Sequence, residues 1–220
     1  MVIGTILFII AIVELILGLW CIFRYKNNPA TFWFGFFAIG AAIYVGANAL
    51  GFFKSIITSD WAEHLAWIGG TVATIFFLPF SYSFPLPRRT FKELWPWVFW
   101  PLVIFIPAFI WTELIIERQG LVQFMNGYST ATGPYFWVFL VFFIIYWLWS
   151  ITNLIKWTIT SDGIHRKLLM RLLTVFVVSL AASSYFDVYR PLTTPSQFGY
   201  IGSLFTSIWV GYTGYIILKK

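Results

Sequence analysis

Seven stretches of about twenty apolar residues follow one another along this chain, at roughly 2–23, 31–53, 64–86, 94–116, 134–157, 168–189 and 198–218. Each is long enough to cross the hydrocarbon core of a bilayer, about 30 Å thick, as a helix. The expected fold class is therefore an all-α membrane protein, a seven-transmembrane helix bundle forming a single seven-span domain over residues 1–220.

Composition agrees. Hydrophobic residues make up 60% of the chain and charged residues 10%, against about 25% charged in soluble domains. A soluble chain of this length could not hide so much apolar surface. The formal net charge of +6 raises the question of nucleic acid, but that needs basic residues gathered on one face of a domain. Here they sit in the short separators, so no nucleic-acid partner is expected. Met1 to Gly18 lacks a basic leader and a small-residue cleavage site followed by a soluble domain, and is read as a retained first span.

The separators fix an expected orientation. After spans one, three and five, and in the tail, lie Arg24, Lys26, Arg88, Arg89, Lys92, Lys156, Arg166, Lys167, Arg171, Lys219 and Lys220. The opposite side holds only Lys54, Arg118 and Arg190. Cytoplasmic loops carry the excess of Lys and Arg, so the N-terminus is expected outside, the C-terminus in the cytoplasm, and the chain in the cell (cytoplasmic) membrane as a multi-pass protein.

Inside the spans, small residues recur at helical spacing. Ala11, Glu14, Gly18 and Cys21 share a face of span one, span two is rich in Gly and Ala from Gly35 to Gly51, and span seven offers Ser203, Ser207 and Gly211. Such positions let backbones approach where no hydrophobic effect drives association. Pro79, Pro96, Pro101 and Pro107 fall in or near spans three and four, where kinks are expected.

Glu14 is the most unusual residue. It lies about 18 Å into span one, where a charged side chain costs about 2.5–3.5 kcal/mol on insertion scales. Two readings stay open: a group working inside a sensing or transport cavity, and structural glue bonded to a neighbouring helix. A second group, Asn48, Trp111, Glu113, Tyr185, Asp187 and Arg190, gathers with Tyr189 at the outer ends of spans. It reads either as part of the interfacial belt or as an outward-facing ligand pocket. Glu14, Asn48, Trp111, Glu113, Tyr185, Asp187 and Arg190 are accordingly the candidate ligand-binding residues.

Catalytic chemistry is not indicated. His64 and His165 are expected on opposite sides of the membrane, and Cys21 is the sole cysteine, so neither a metal site nor a disulfide is expected. No zinc-protease, nucleophile-elbow or phosphate-loop motif occurs. A retinal Schiff base would need a lysine inside the last span, and Phe198 to Leu218 has none. No cofactor is expected, and the chain is not expected to be an enzyme.

Three stretches carry a family resemblance. The first is Trp67-Ile68-Gly69 through Phe77-Leu78-Pro79-Phe80-Ser81-Tyr82. The second is the long segment after span four, ending Gly133-Pro134-Tyr135-Phe136-Trp137. The third comprises Arg166 to Arg171, Asp187-Val188-Tyr189-Arg190-Pro191-Leu192, and Phe198-Gly199 through Gly214-Tyr215 before Lys219-Lys220. Over nearly its whole length the chain resembles the N-terminal seven-transmembrane sensor region of bacterial histidine kinases and related signalling proteins. The resemblance implies a sensor or receptor for signal transduction, the input domain of a two-component system. Its implied partners are the lipid bilayer, a small-molecule or hydrophobic ligand, a cytoplasmic signalling domain fused or separate, and, as one arrangement, a homodimer. No phosphoacceptor-histidine region or ATP-binding motif follows span seven here, so kinase activity is not expected of these residues. A small proton-coupled transporter or ion carrier using Glu14 is the rival reading, and the lack of an inverted repeat weighs against it.

Overall fold

The computed structural model describes residues 2–24, 28–52, 56–116, 132–189 and 199–219, with the backbone alone at 56–60, 187–188 and 199–200. It is all-helical among those residues. The elements are α1 (Val2–Phe23), α2 (Pro29–Leu50), α3 (Ile56–Ser83), α4 (Phe91–Trp111), α5 (Phe136–Thr160), α6 (Gly163–Ser183) running on into a π-helical segment (Ser184–Tyr189), and α7 (Gly199–Leu218). Among the described residues, seven helices are long and apolar enough to cross a membrane.

Neighbouring helices alternate in direction. Gly4 of α1 lies against Ala49 and Phe52, at the end of α2, while Gly18 lies against Gly35 near its start. On α2 and α3, Gly40 meets Ala73 and Gly69 meets Tyr44. Trp67 and Phe136, then Phe77 and Trp147, pair along α3 and α5, so those two run parallel. Phe37 meets Trp209 and Asn48 meets Ser203, while Phe176 meets Trp209 and Ser183 meets Gly202, so α7 runs antiparallel to α2 and to α6. One end of the bundle therefore gathers the start of α1 and the end of α2 (the N-terminal face); the other gathers the α3–α4 and α5–α6 turns (the C-terminal face).

Each helix end has a local cause. Pro29 occupies the first turn of α2, where its missing N–H costs nothing, and the Asn28 side chain accepts from Ala30 N at 3.1 Å. The Thr90 backbone N–H donates to the Glu93 carboxylate at 2.8 Å at the start of α4. Thr112 is extended and ends that helix, so the expected span to 116 stops at Trp111; the next residues turn back, with Ile115 accepting from Gly133 N and Leu114 from Tyr135 N, both at 2.8 Å. The separator expected from Lys156 to Lys167 shrinks to Ser161 and Asp162, because α5 continues to Thr160 and α6 begins at Gly163, at φ +59. Long basic side chains such as Arg166 and Lys167 can sit on a helix and still reach the interface. In the same way α3 starts at Ile56, earlier than the span from 64. Helices α3 and α4 run on through Pro79, Pro96, Pro101 and Pro107.

The core is aromatic. Phe37, Phe77, Trp147, Phe176 and Trp209, from α2, α3, α5, α6 and α7, interlock with ring centroids 4.4 Å apart for Phe37–Trp209, 4.9 Å for Phe77–Trp209 and 4.7 Å for Phe176–Trp209. A second cluster, Ile68, Phe109, Phe136 and Phe139, closes over Ile115 and Ile116 at the N-terminal face. Helices α2 and α3 are the most enclosed, while α1, α4, α5 and α6 leave most of their apolar surface outward, where lipid would lie.

Candidate functional site

Helix α1 buries one stripe, Gly4, Leu7, Ala11, Glu14, Gly18 and Cys21. Four of these are the residues that spacing alone placed on one face. The small ones bring α1 against α2 and leave Glu14 enclosed, at 4% exposure. Both of its carboxyl oxygens are buried and close no hydrogen bond among the described residues. The Ser207 hydroxyl of α7 faces them, and is itself committed as a donor to the Ser203 carbonyl at 2.9 Å.

One turn nearer the N-terminal face, Asn48 of α2 bridges to α7. Its amide donates to the Ser203 hydroxyl at 2.9 Å and to the Tyr44 carbonyl at 3.1 Å. Glu14, Asn48, Ser203 and Ser207 thus form a polar seam where α1, α2 and α7 meet. Beside it, on the next face of α7, the Ser183 hydroxyl donates to the Gly202 carbonyl at 2.9 Å and lies 3.0 Å from that of Thr206. Ser183 is the last residue of α6 before the winding changes to π at Ser184–Tyr189. Helix α7 therefore touches the π segment on one side and the seam on the other. Single π turns inside helices occur frequently at functional sites.

The remaining candidates divide. Tyr185 stands exposed on the π segment, its ring stacked on that of Tyr189 at 5.8 Å. Asp187 belongs to the same segment, but its side chain, like Arg190 as a whole, lies outside the described residues. Trp111 and Glu113 lie beside the α3–α4–α5 cluster instead, and both are exposed. The Glu113 backbone is pressed against Gly133, where an added Cβ would collide with the Glu113 and Leu114 backbones. The structure thus joins Glu14 to Asn48, places Tyr185 and Asp187 on a segment that contacts the same helix, and sets Trp111 and Glu113 apart. Ser203 and Ser207 were visible in the sequence only as small residues suited to packing, as was Ser183 in the serine-rich stretch 179–184; Thr206 carried no signal that separated it from other hydroxyls. No three His, Cys, Asp or Glu side chains among the described residues converge as a metal site.

No curated protein and no solved structure matches the chain. The family model described as the N-terminal 7TM region of histidine kinase matches residues 6–215, from within α1 to within α7, and takes in the polar seam and the π segment. The chain belongs to the family of N-terminal seven-transmembrane regions of histidine kinases.

Proposed function

We propose that the chain, as a single seven-span domain, is a signal-sensing module of the cytoplasmic membrane, with its N-terminus outside and its C-terminus in the cytoplasm. A small or hydrophobic ligand arriving from the outer side binds at the seam and the π segment, using Glu14, Asn48, Tyr185, Asp187 and Arg190. Trp111 and Glu113 enter only as residues of the outer rim. Binding favours one of two arrangements of α6 and α7, and α7 passes the difference to a cytoplasmic effector, fused or separate, that supplies the enzymatic output. A ligand does this only by binding the two arrangements unequally. No catalytic role is proposed for this chain.

The observation that carries the reading is the double engagement of α7. The same helix contacts the α6 end just before the π segment through Gly202 and Thr206, and the seam through Ser203 and Ser207. It then ends at the basic C-terminal face. The unmet hydrogen-bonding capacity of Glu14 is what a polar ligand group would satisfy, since buried polar groups without partners are costly.

The test is a thermal-shift screen of the nanodisc-reconstituted protein against small amphiphiles. A compound that stabilises the wild type should lose its effect in Glu14→Gln and in Asn48→Ala. If both variants respond as the wild type does, the site assignment fails. The same feature, a buried acid on a spanning helix, favours a proton-coupled carrier as the second reading. That reading requires solute flux into vesicles, driven by a proton gradient and abolished in Glu14→Gln.

A further inference from the structure

At the C-terminal face the turn between α3 and α4 folds back onto α5. The Trp149 indole N–H donates to the Tyr82 hydroxyl at 2.9 Å, and Arg88 N donates to the Tyr82 carbonyl at 3.2 Å. Two cations of this turn rest on rings of α5 and α3. The Arg88 guanidinium carbon lies 3.2 Å from the ring centroid of Trp157, and that of Arg89 lies 4.5 Å from the ring centroid of Tyr82. Lys156 Nζ approaches the Trp157 ring as well, at 5.9 Å. All three side chains are exposed.

No carboxylate pairs with Arg88, Arg89 or Lys156 among the described residues. Glu93, the acid on the first turn of α4, is engaged by the Thr90 backbone. Asp162, the other acid of this face, stands at the start of α6 and forms no ion pair with them. Basic residues that serve only to set orientation need no fixed geometry. Here two guanidiniums and an ammonium are held against aromatic rings, with no carboxylate paired to them among the described residues. Partial desolvation draws the Arg88 pKa below the ordinary guanidinium value, and the group stays cationic at any physiological pH.

We propose that Arg88, Arg89 and Lys156 form a binding site for the phosphate of an anionic phospholipid headgroup, with Trp157 and Tyr82 as its walls. The chemistry fits on three counts. Guanidinium forks match phosphate oxygens in pairs. Tryptophan and tyrosine settle at headgroup depth. Anionic lipids attract basic clusters next to spanning segments. The acyl chains would lie along the exposed apolar flank of α5, which carries Leu148, Ile155 and Ile159.

Titrating phosphatidylglycerol into the detergent-solubilised protein tests this, with thermal stability and lipid retention in native mass spectrometry as the two readouts. Phosphatidylglycerol is expected to raise the melting temperature and to be retained, whereas phosphatidylcholine does neither. Arg88→Gln with Arg89→Gln should weaken the apparent affinity at least tenfold, and Lys156→Gln alone about threefold. Arg166→Gln with Lys167→Gln removes as much charge from the same face and should change it less than twofold. Equal losses in the two double variants would reduce the site to diffuse surface charge and overturn the proposal. So would a full response to inorganic phosphate at the same concentrations, which would make the ligand a free anion. Lys156→Gln, on an exposed position, keeps the test decisive if the double variant does not fold.

Discussion

Gly18 of α1 and Gly35 of α2 face each other so closely that neither has room for a side chain. A Cβ on Gly18 would come within 2.7 Å of the Gly35 carbonyl oxygen, and one on Gly35 within 2.8 Å of the Gly18 carbonyl oxygen. The contact sits one turn beyond Glu14 and sets how tightly α1 closes over the seam. Replacing Gly18 or Gly35 with Val is expected to destabilise the protein by about 1–3 kcal/mol, the usual cost of overpacking, as measured by detergent or denaturant unfolding. Gly70→Ala is the control, because nothing lies within 4 Å of its Cβ position; helix propensity predicts a gain of up to about 1 kcal/mol there.

The Asn48–Ser203 hydrogen bond joins α2 to α7 across 155 residues of sequence. A double-mutant cycle of Asn48→Ala and Ser203→Ala should give a coupling of about 0.6 kcal/mol and no more than about 1.7, the span measured for such bonds in membranes. Each single change should weaken any ligand response more than it weakens the fold.

For Glu14 the two readings separate cleanly. Neither carboxyl oxygen holds a partner among the described residues, so Glu14→Gln removes no hydrogen bond that the structure contains. The expected result is an unfolding midpoint unchanged or raised, together with loss of the signalling or binding response. A marked fall in stability with the response intact would identify Glu14 as structural glue.

Trp209 anchors the aromatic core. Truncation to Ala should cost about 3–5 kcal/mol. Trp209→Phe should cost much less, because the indole N–H is buried without an acceptor among the described residues and the smaller ring leaves no donor stranded. Chemical unfolding in one detergent would rank the two.

At the N-terminal face, Gly133→Ala would drive a methyl group into the backbone of Glu113 and Leu114. The pairing of 114–116 with 132–135 should loosen, exposing Ile115 and Ile116. Faster limited proteolysis in this region, with α5 and α6 still protected, is the expected outcome.

The spans were legible because lipid leaves a chain few options: long apolar runs must be helices, and seven runs give seven helices. The stripe Ala11, Glu14, Gly18 and Cys21 was equally legible, since helical spacing alone places it on one face. Helix ends were less so. Hydropathy falls wherever Arg166, Lys167 and Arg171 begin, yet the backbone of α6 is helical from Gly163, because a long basic side chain can leave the hydrocarbon without its helix stopping. The surroundings of Glu14 and the partner of Asn48 were not legible at all. Ser203 and Ser207 look like any small residues of a spanning helix until the tertiary fold brings α7 beside α2. No local residue pattern announced the π winding at Ser184–Tyr189.

Only Ser161 and Asp162 separate Thr160 from Gly163, a tether of at most about 11 Å when fully stretched. The two rods it joins are pinned like scissor blades at that end. They can swing but not slide far past each other, and the swing is widest at the opposite tips. One of those tips is the altered winding that carries Tyr185. Any change of angle at the basic turn would therefore displace most that far tip, beside the start of α7.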